Sequence, residues 1–268
     1  MIKIDCHIHT IFCKHAEKSI HSYIEHAIKN GLKKILFLEH LTLSEKNFKN
    51  SMTINEVPLY FYAVKNASEK YKNIIDIKCG IEADFHEDFF NETQKICEKF
   101  DFDMIGGSVH FIKNFNIASR KTRKDYADIP QYELVLEYFR TVKKMVEYGF
   151  IDTVCHFDLI FKFGISENLY IDEKINSCIN SIIDIIAEKK ISMEINTSGF
   201  THPVKRQYPS FDIIKKCKEK KIGFTIGSDA HSPEQTGRYF KGIKKILGLL
   251  NEKNLVEYKK REKYEILI

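Results

Sequence analysis

The feature that most constrains this chain is an alternation. Seven short β-like runs are each followed by a longer run of helical periodicity. Residues 2 to 7, 34 to 39, 75 to 82, 104 to 110, 152 to 156, 191 to 196 and 223 to 229 read as strands. Residues 20 to 30, 56 to 73, 87 to 99, 131 to 148, 173 to 189, 210 to 221 and 233 to 250 read as helices. In the fifth helix, Ile175, Cys178, Ile179, Ile182, Ile183 and Ile186 recur at three- and four-residue steps and form one apolar stripe. Gly31, Gly149 and Gly223 stand where a helix should stop or the next strand begin. Strict β-then-α order with short strands calls for a parallel sheet covered by helices, either a closed barrel or an open doubly wound sheet. No G-x-G-x-x-G follows the first strand and no G-x-x-x-x-G-K-[ST] occurs, so nothing supports a Rossmann or P-loop reading. No low-complexity linker interrupts the pattern, and residues 1 to 268 read as a single domain.

Composition narrows the class. With 43% hydrophobic and 29% charged residues, the chain is neither disordered nor collagen-like. No apolar run reaches the length of a membrane span, and Met1-Ile2-Lys3-Ile4-Asp5 does not open a signal peptide. The seven cysteines are odd in number, widely spaced and never C-x-x-C, which argues against a disulfide framework or a cysteine-based zinc site. Reduced thiols and a cytoplasmic location are expected, with Cys6 and Cys155 as small buried hydrophobes. The net charge of +5 includes Lys-rich patches at 120 to 124, 215 to 221 and 257 to 263. These read mainly as solvated helix faces and are compatible with an anionic substrate.

Six of the 11 histidines, His7, His9, His40, His110, His156 and His231, fall at or just past the C-terminal end of a predicted strand, where chance would place about one. In parallel α/β architectures that edge is where ligand-binding loops converge, so these imidazoles should meet in space. His7 and His9 are two apart on a strand and project to one face, and Asp229 and His231 repeat that geometry on the last strand. Glu39 and His40 end the second strand, Glu82 the third, and His15 lies in the loop after the first. Imidazole with carboxylate is the donor set for Zn, Mn or Fe ions. The nine candidates His7, His9, His15, His40, Glu82, His110, His156, Asp229 and His231 are too many for one ion. Two or three divalent transition metals, sharing Glu82 or Asp229 as a bridge, would distribute them.

The segments Asp5-Cys6-His7-Ile8-His9-Thr10, His15, Glu39-His40, Glu82-Ala83-Asp84, Ser108-Val109-His110, His156-Phe157-Asp158 and Ser228-Asp229-Ala230-His231 together resemble the polymerase and histidinol phosphatase (PHP) family of metal-dependent phosphoesterases. That resemblance implies a distorted (β/α)7 TIM-like barrel with a trinuclear site at the C-terminal ends of its strands. It would assign His7, His9, Glu82 and Asp229 to one ion, Glu82, His110 and His156 to a second, and His15, His40 and His231 to a third. Chain length, His110-Phe111, His156-Phe157-Asp158 and Asn196-Thr197-Ser198-Gly199 with Lys205-Arg206 are most similar to the stand-alone members that act on histidinol phosphate in histidine biosynthesis. On that resemblance Arg206 would bind the substrate phosphate, with Lys162 as a second positive charge.

Phosphate monoester hydrolysis needs a nucleophile at neutral pH, neutralised phosphoryl oxygens and a proton for the leaving alkoxide. Clustered metals supply the first two. Asp229 would ligate and orient the attacking oxygen, and Arg206 would add a fork of donors. The leaving-group proton would come from a metal-bound water or from His202, in the same loop as Arg206. Glu39 and Asp158, and similarly Asp5 and Asp84, are expected to hold ligand imidazoles in the right tautomer. His21, His26 and His86 read as surface residues. The same metal cage would serve a nucleotide phosphatase, an exonuclease or a phosphotyrosine phosphatase. No basic stripe interleaved with aromatics points to nucleic acid, and a non-catalytic metal-binding module would not need Arg206.

Overall fold

The computed structural model describes residues 2–43, 50–113, 115–119, 121 and 129–268. Seven strands form one parallel sheet: β1 (Ile4–Ile8), β2 (Lys34–Leu41), β3 (Asp76–Asp84), β4 (Met104–Ser108), then, after a small hairpin of β5 (Phe111–Ile112) and β6 (Phe115–Asn116), β7 (Thr153–Val154), β8 (Ser192–Asn196) and β9 (Phe224–Gly227). They lie side by side in chain order, β1-β2-β3-β4-β7-β8-β9, as repeated right-handed β-α-β crossovers dictate. The sheet curls until its outer strands touch at a seam. There, Ile8 bridges Ala230, the His9 amide donates to Ala230 O at 2.9 Å and the Asp229 amide to His7 O at 2.8 Å. The fold is a distorted, nearly closed (β/α)7 barrel.

Seven helices cover it: α1 (Ile20–Lys29), α2 (Val57–Tyr71), α3 (Phe90–Cys97), α4 (Gln131–Tyr148), α5 (Glu173–Glu188), α6 (Phe211–Glu219) and α7 (Phe240–Leu249). α5 starts where the Asp172 carboxylate accepts the amides of Lys174 and Ile175, at 3.0 and 3.1 Å. It buries Ile175, Ile179, Ile182, Ile183 and Ile186, while Cys178 is only half-buried. α4 stops at Gly149, whose φ of +79° is a left-handed conformation that glycine adopts without a Cβ penalty.

Three strands end sooner than their sequence suggests, β4 at Ser108 among them. β7 stops at Val154 and β9 at Gly227, because His156 (φ +25°) and Asp229 (φ +53°) turn the backbone out of the extended region. Asp229 and His231 therefore do not share a face through strand alternation; the left-handed turn aims them. Residues 233–235 form a separate 3-10 turn and α7 begins only at Phe240. Of the basic patch expected at 120 to 124, only Lys121 is among the described residues.

A feature absent from the sequence reading is an antiparallel hairpin, β10 (Asn254–Lys259) and β11 (Glu262–Leu267). It closes the end of the barrel opposite the histidines. Tyr258 OH donates to Asp152 O at 2.7 Å, Glu257 accepts Lys34 Nζ at 2.7 Å, and Arg261 pairs with Asp152 at 3.0 Å.

Candidate metal centre

The structure brings all nine predicted ligands to the C-terminal mouth of the barrel. Glu82, fully buried at the end of β3, is the hub. Its Oε1 lies 2.8 Å from His156 Nε2 and 3.7 Å from His110 Nε2, and its Oε2 lies 2.7 Å from His40 Nδ1, 3.5 Å from His7 Nε2 and 3.6 Å from His9 Nε2. Asp229 Oδ1 reaches His9 Nε2 at 3.2 Å. The His9 ring stacks against those of His40 and His231, each 4.2 Å away, and His15 lies 4.5 Å from His231.

The anchoring of the rings tells what they are for. His7 Nδ1 is held by Glu194 Oε1 at 2.6 Å, His9 Nδ1 by Glu39 Oε1 at 3.2 Å, His15 Nδ1 by Cys13 O at 2.7 Å and His231 Nδ1 by Asp229 O at 3.2 Å. An Nδ1–H donated outward leaves Nε2 as a bare lone pair aimed inward, the arrangement found around metal-binding histidines. His7 Nε2 and His9 Nε2 face each other at 3.0 Å. Among the described residues, Glu82 Oε2, His156 Nδ1 and His231 Nε2 are buried with no hydrogen bond. Converging lone pairs, a buried carboxylate and orphaned nitrogens fit divalent cations.

Electrostatics agree. Burial opposes charge on Glu82 and Asp229, yet the surrounding imidazoles hold both carboxyls well below the usual range. Burial, reinforced by His40, pulls His9 down to about 3, whereas at His7 burial is outweighed by Glu194 and Glu82 and the pKa rises.

The supporting carboxylates divide. Glu39 does hold an imidazole, and it also accepts the Thr10 amide at 2.7 Å and the Thr10 hydroxyl. Asp84 accepts the His110 amide at 2.9 Å and lies 3.5 Å from His110 Nδ1. Asp5 binds backbone instead, taking the amides of Ser228 (3.0 Å) and Gly237 (2.8 Å). Asp158 is not engaged with a ligand imidazole among the described residues: its Oδ2 takes Arg206, the Ser210 amide, both at 2.9 Å, and the Tyr170 hydroxyl.

Six of the nine candidate ligands, His15, His40, His110, His156, Asp229 and His231, line a cavity of about 530 Å³ whose walls also include Lys162, Ser198, His202 and Arg238. Lys162 Nζ donates to Ala118 O at 2.9 Å, and His202 Nδ1 lies 3.0 Å from Tyr208 OH. Arg206, expected to grip phosphate, does not line this cavity. Its guanidinium is committed to Asp158, Glu167, the Tyr170 hydroxyl and Gln207 O. Among the described residues, the guanidinium that does line the cavity is Arg238. Burial depresses its pKa, whereas at Arg206 the neighbouring Asp158 and Glu167 reverse the effect of burial.

Glu194 is a second residue the sequence reading missed. Besides His7, it accepts the His156 amide at 2.8 Å and Asn196 Nδ2 at 3.1 Å, so one buried carboxylate sets two ligands. Its signal was an acid inside the otherwise buried run Ile191-Ser192-Met193-Glu194-Ile195. Gly227 makes room for it, since a Cβ there would lie 2.2 Å from Glu194 Oε1 and 2.4 Å from His7 Cβ.

A family model described as the PHP domain matches residues 5–198, and the chain belongs to that family. It is 28% identical over 244 residues to a probable histidinol-phosphatase of Deinococcus radiodurans, covering 90% of this chain and 92% of that protein. It is 26% identical over 267 residues to a histidinol-phosphatase of Bacillus subtilis, covering 88% and 96%. The crystal structure of histidinol phosphate phosphatase from Lactococcus lactis subsp. lactis, complexed with zinc, L-histidinol and phosphate, superposes with a TM-score of 0.85 at 22% identity over 98% of both chains.

Proposed function

We propose that this chain is a histidinol-phosphate phosphatase, converting L-histidinol phosphate and water to L-histidinol and phosphate in histidine biosynthesis. The observation that carries the reading is the convergence of nine ligand-type side chains, with Glu82 as their hub, at the mouth of the barrel, six of them on the wall of one cavity. The histidinol-phosphatases among its relatives support the choice of alcohol. In this proposal His7, His9, Glu82 and Asp229 hold one ion, Glu82, His110 and His156 a second, and His15, His40 and His231 a third, with zinc, manganese or iron all suited to the donors. Bound there, such ions supply a nucleophilic water at neutral pH and neutralise the phosphoryl oxygens.

The chain's own groups do the rest. Asp229 ligates and, from its turn beside the cavity, orients the attacking oxygen. His202, on the cavity wall with Nδ1 near Tyr208 OH, protonates the leaving alkoxide. Lys162 brings a compact charge to the phosphate. Arg206 acts indirectly, bracing the loop after β7 through Asp158, two residues beyond His156. Among the described residues no helix is long and apolar enough to cross a membrane; a cytoplasmic location is part of the proposal, and the seven free cysteines suit it.

Metal-replete protein should be assayed against histidinol phosphate, mononucleotides, phosphotyrosine and an aryl phosphate. Preferred turnover of histidinol phosphate, with more than one equivalent of transition metal per chain, is expected. A preferred nucleotide or phosphotyrosine would overturn the substrate, and no turnover of any ester would overturn the activity.

A further inference from the structure

We propose that Ser198 and Arg238 together form an anion subsite beside the metal ligands, which takes the non-bridging oxygens of the substrate phosphate; this rests on the phosphatase reading above. Ser198 is 1% exposed and lines the cavity, yet its hydroxyl has no hydrogen-bond partner among the described residues. A buried hydroxyl left unpaired costs stability, so its persistence at a cavity wall points to a ligand that completes it. Arg238 lines the same cavity. It donates from Nε to Ser228 O at 3.0 Å and from Nη2 to Asp229 O at 3.2 Å, and it makes no ion pair among the described residues. A half-buried guanidinium that hydrogen-bonds only to backbone carbonyls among the described residues, with the carboxylates of Asp229 and Asp5 acting on it from beyond ion-pair distance, keeps charge to offer an anion. Arg206, by contrast, is neutralised twice over by Asp158 and Glu167.

The two groups are held to one turn. The Thr197 amide donates to Gly227 O at 2.9 Å, so Ser198 starts from the first of three successive carbonyls, Gly227, Ser228 and Asp229, of which Arg238 occupies the other two. A hydroxyl and a guanidinium that line one cavity and are tethered to successive carbonyls of the turn carrying Asp229 suit a tetrahedral oxyanion.

The alternative is that Arg238 merely braces the left-handed turn at Asp229. Ser198→Ala separates the two, because it removes a hydroxyl that has no hydrogen-bond partner among the described residues. Inorganic phosphate is titrated calorimetrically into metal-replete wild type, Ser198→Ala and Arg238→Lys, with metal content and melting temperature recorded. The expected results are phosphate affinity about three- to tenfold weaker in Ser198→Ala, at unchanged metal content and a Tm equal to or above wild type, and roughly tenfold or more weaker in Arg238→Lys. Unchanged phosphate affinity in both variants, or weakening in Arg238→Lys that disappears once metal is restored, would overturn the subsite. The titration needs no turnover. If no phosphate ester is cleaved but both variants bind phosphate more weakly, the subsite stands and the functional reading fails; if histidinol phosphate is hydrolysed with wild-type KM in both, the reverse holds.

Discussion

Replacing Glu82 by Gln keeps the side chain's shape and removes its charge at the one position that touches both halves of the ligand set. Oε1 serves His156 and His110 while Oε2 serves His40, His7 and His9, so the exchange weakens two ion positions at once. Taking about 1.5–3 kcal/mol for the charge-assisted interaction at each ion position gives roughly 3–6 kcal/mol, or about a hundredfold to ten-thousandfold in metal affinity. The fold should survive, because a neutral amide replaces a fully buried anion of nearly equal volume. Dialysis against buffered zinc followed by elemental analysis reads the loss, and the Tm of the chelator-treated variant should match that of chelator-treated wild type. Wild-type metal stoichiometry at limiting zinc would refute the reasoning outright, because no bridging carboxylate could then be essential.

Chelated wild type should lose stability as pH falls below about 6.5. The folded-state pKa of His9 is depressed to about 3 by burial and by His40, so its contribution is present above the unfolded value and drains away on acidification. His7, whose folded-state pKa is raised, contributes fully at and below the unfolded value and so does not offset this loss; a Tm that stays level or rises between about pH 6.5 and 4.5 would refute the reasoning. Arg206→Ala should lower stability by about 2–3 kcal/mol by stripping buried Asp158 of its cation, discounted for the exposure of Glu167, without changing phosphate affinity; a normal Tm with weakened phosphate binding would restore Arg206 to the substrate. Gly227→Ala should cost about 1–3 kcal/mol, because the new methyl collides with Glu194 and His7. Circular dichroism melts that coincide with wild type would contradict that crowding.

The seven strand positions, and with them most metal ligands, were legible because two periodicities, two and 3.6, alternate along the chain and because ligand loops follow strand ends. The exact aim of the ligands was not. His156 and Asp229 depend on positive φ angles at non-glycine residues, which no propensity announces. Arg206 and Arg238 show the same limit from another side. Both follow late strands in basic surroundings, and only the position of Asp158 and Glu167 decides which guanidinium is spent inside the protein. The closing hairpin escaped notice because it turns on Lys260 and Arg261, at φ +50° and +66°, in place of the Asn-Gly or Asp-Gly that usually marks such a turn.

The seam between β1 and β9 has a consequence for how the protein is made. His7 and His9 stand on one side of it and Asp229 and His231 on the other, and Asp5 binds Ser228 across it over a sequence separation of 223 residues. A chain emerging amino terminus first therefore exposes its H-x-H pair long before the partners that would complete the cage. Closing so long a loop carries a large entropic penalty, which barrel formation must meet before any ion can be gripped tightly. On the proposed ligand assignment, tight capture would report that nearly the whole barrel is in place, and a bound ion would tie the first strand to the last as a cross-link does.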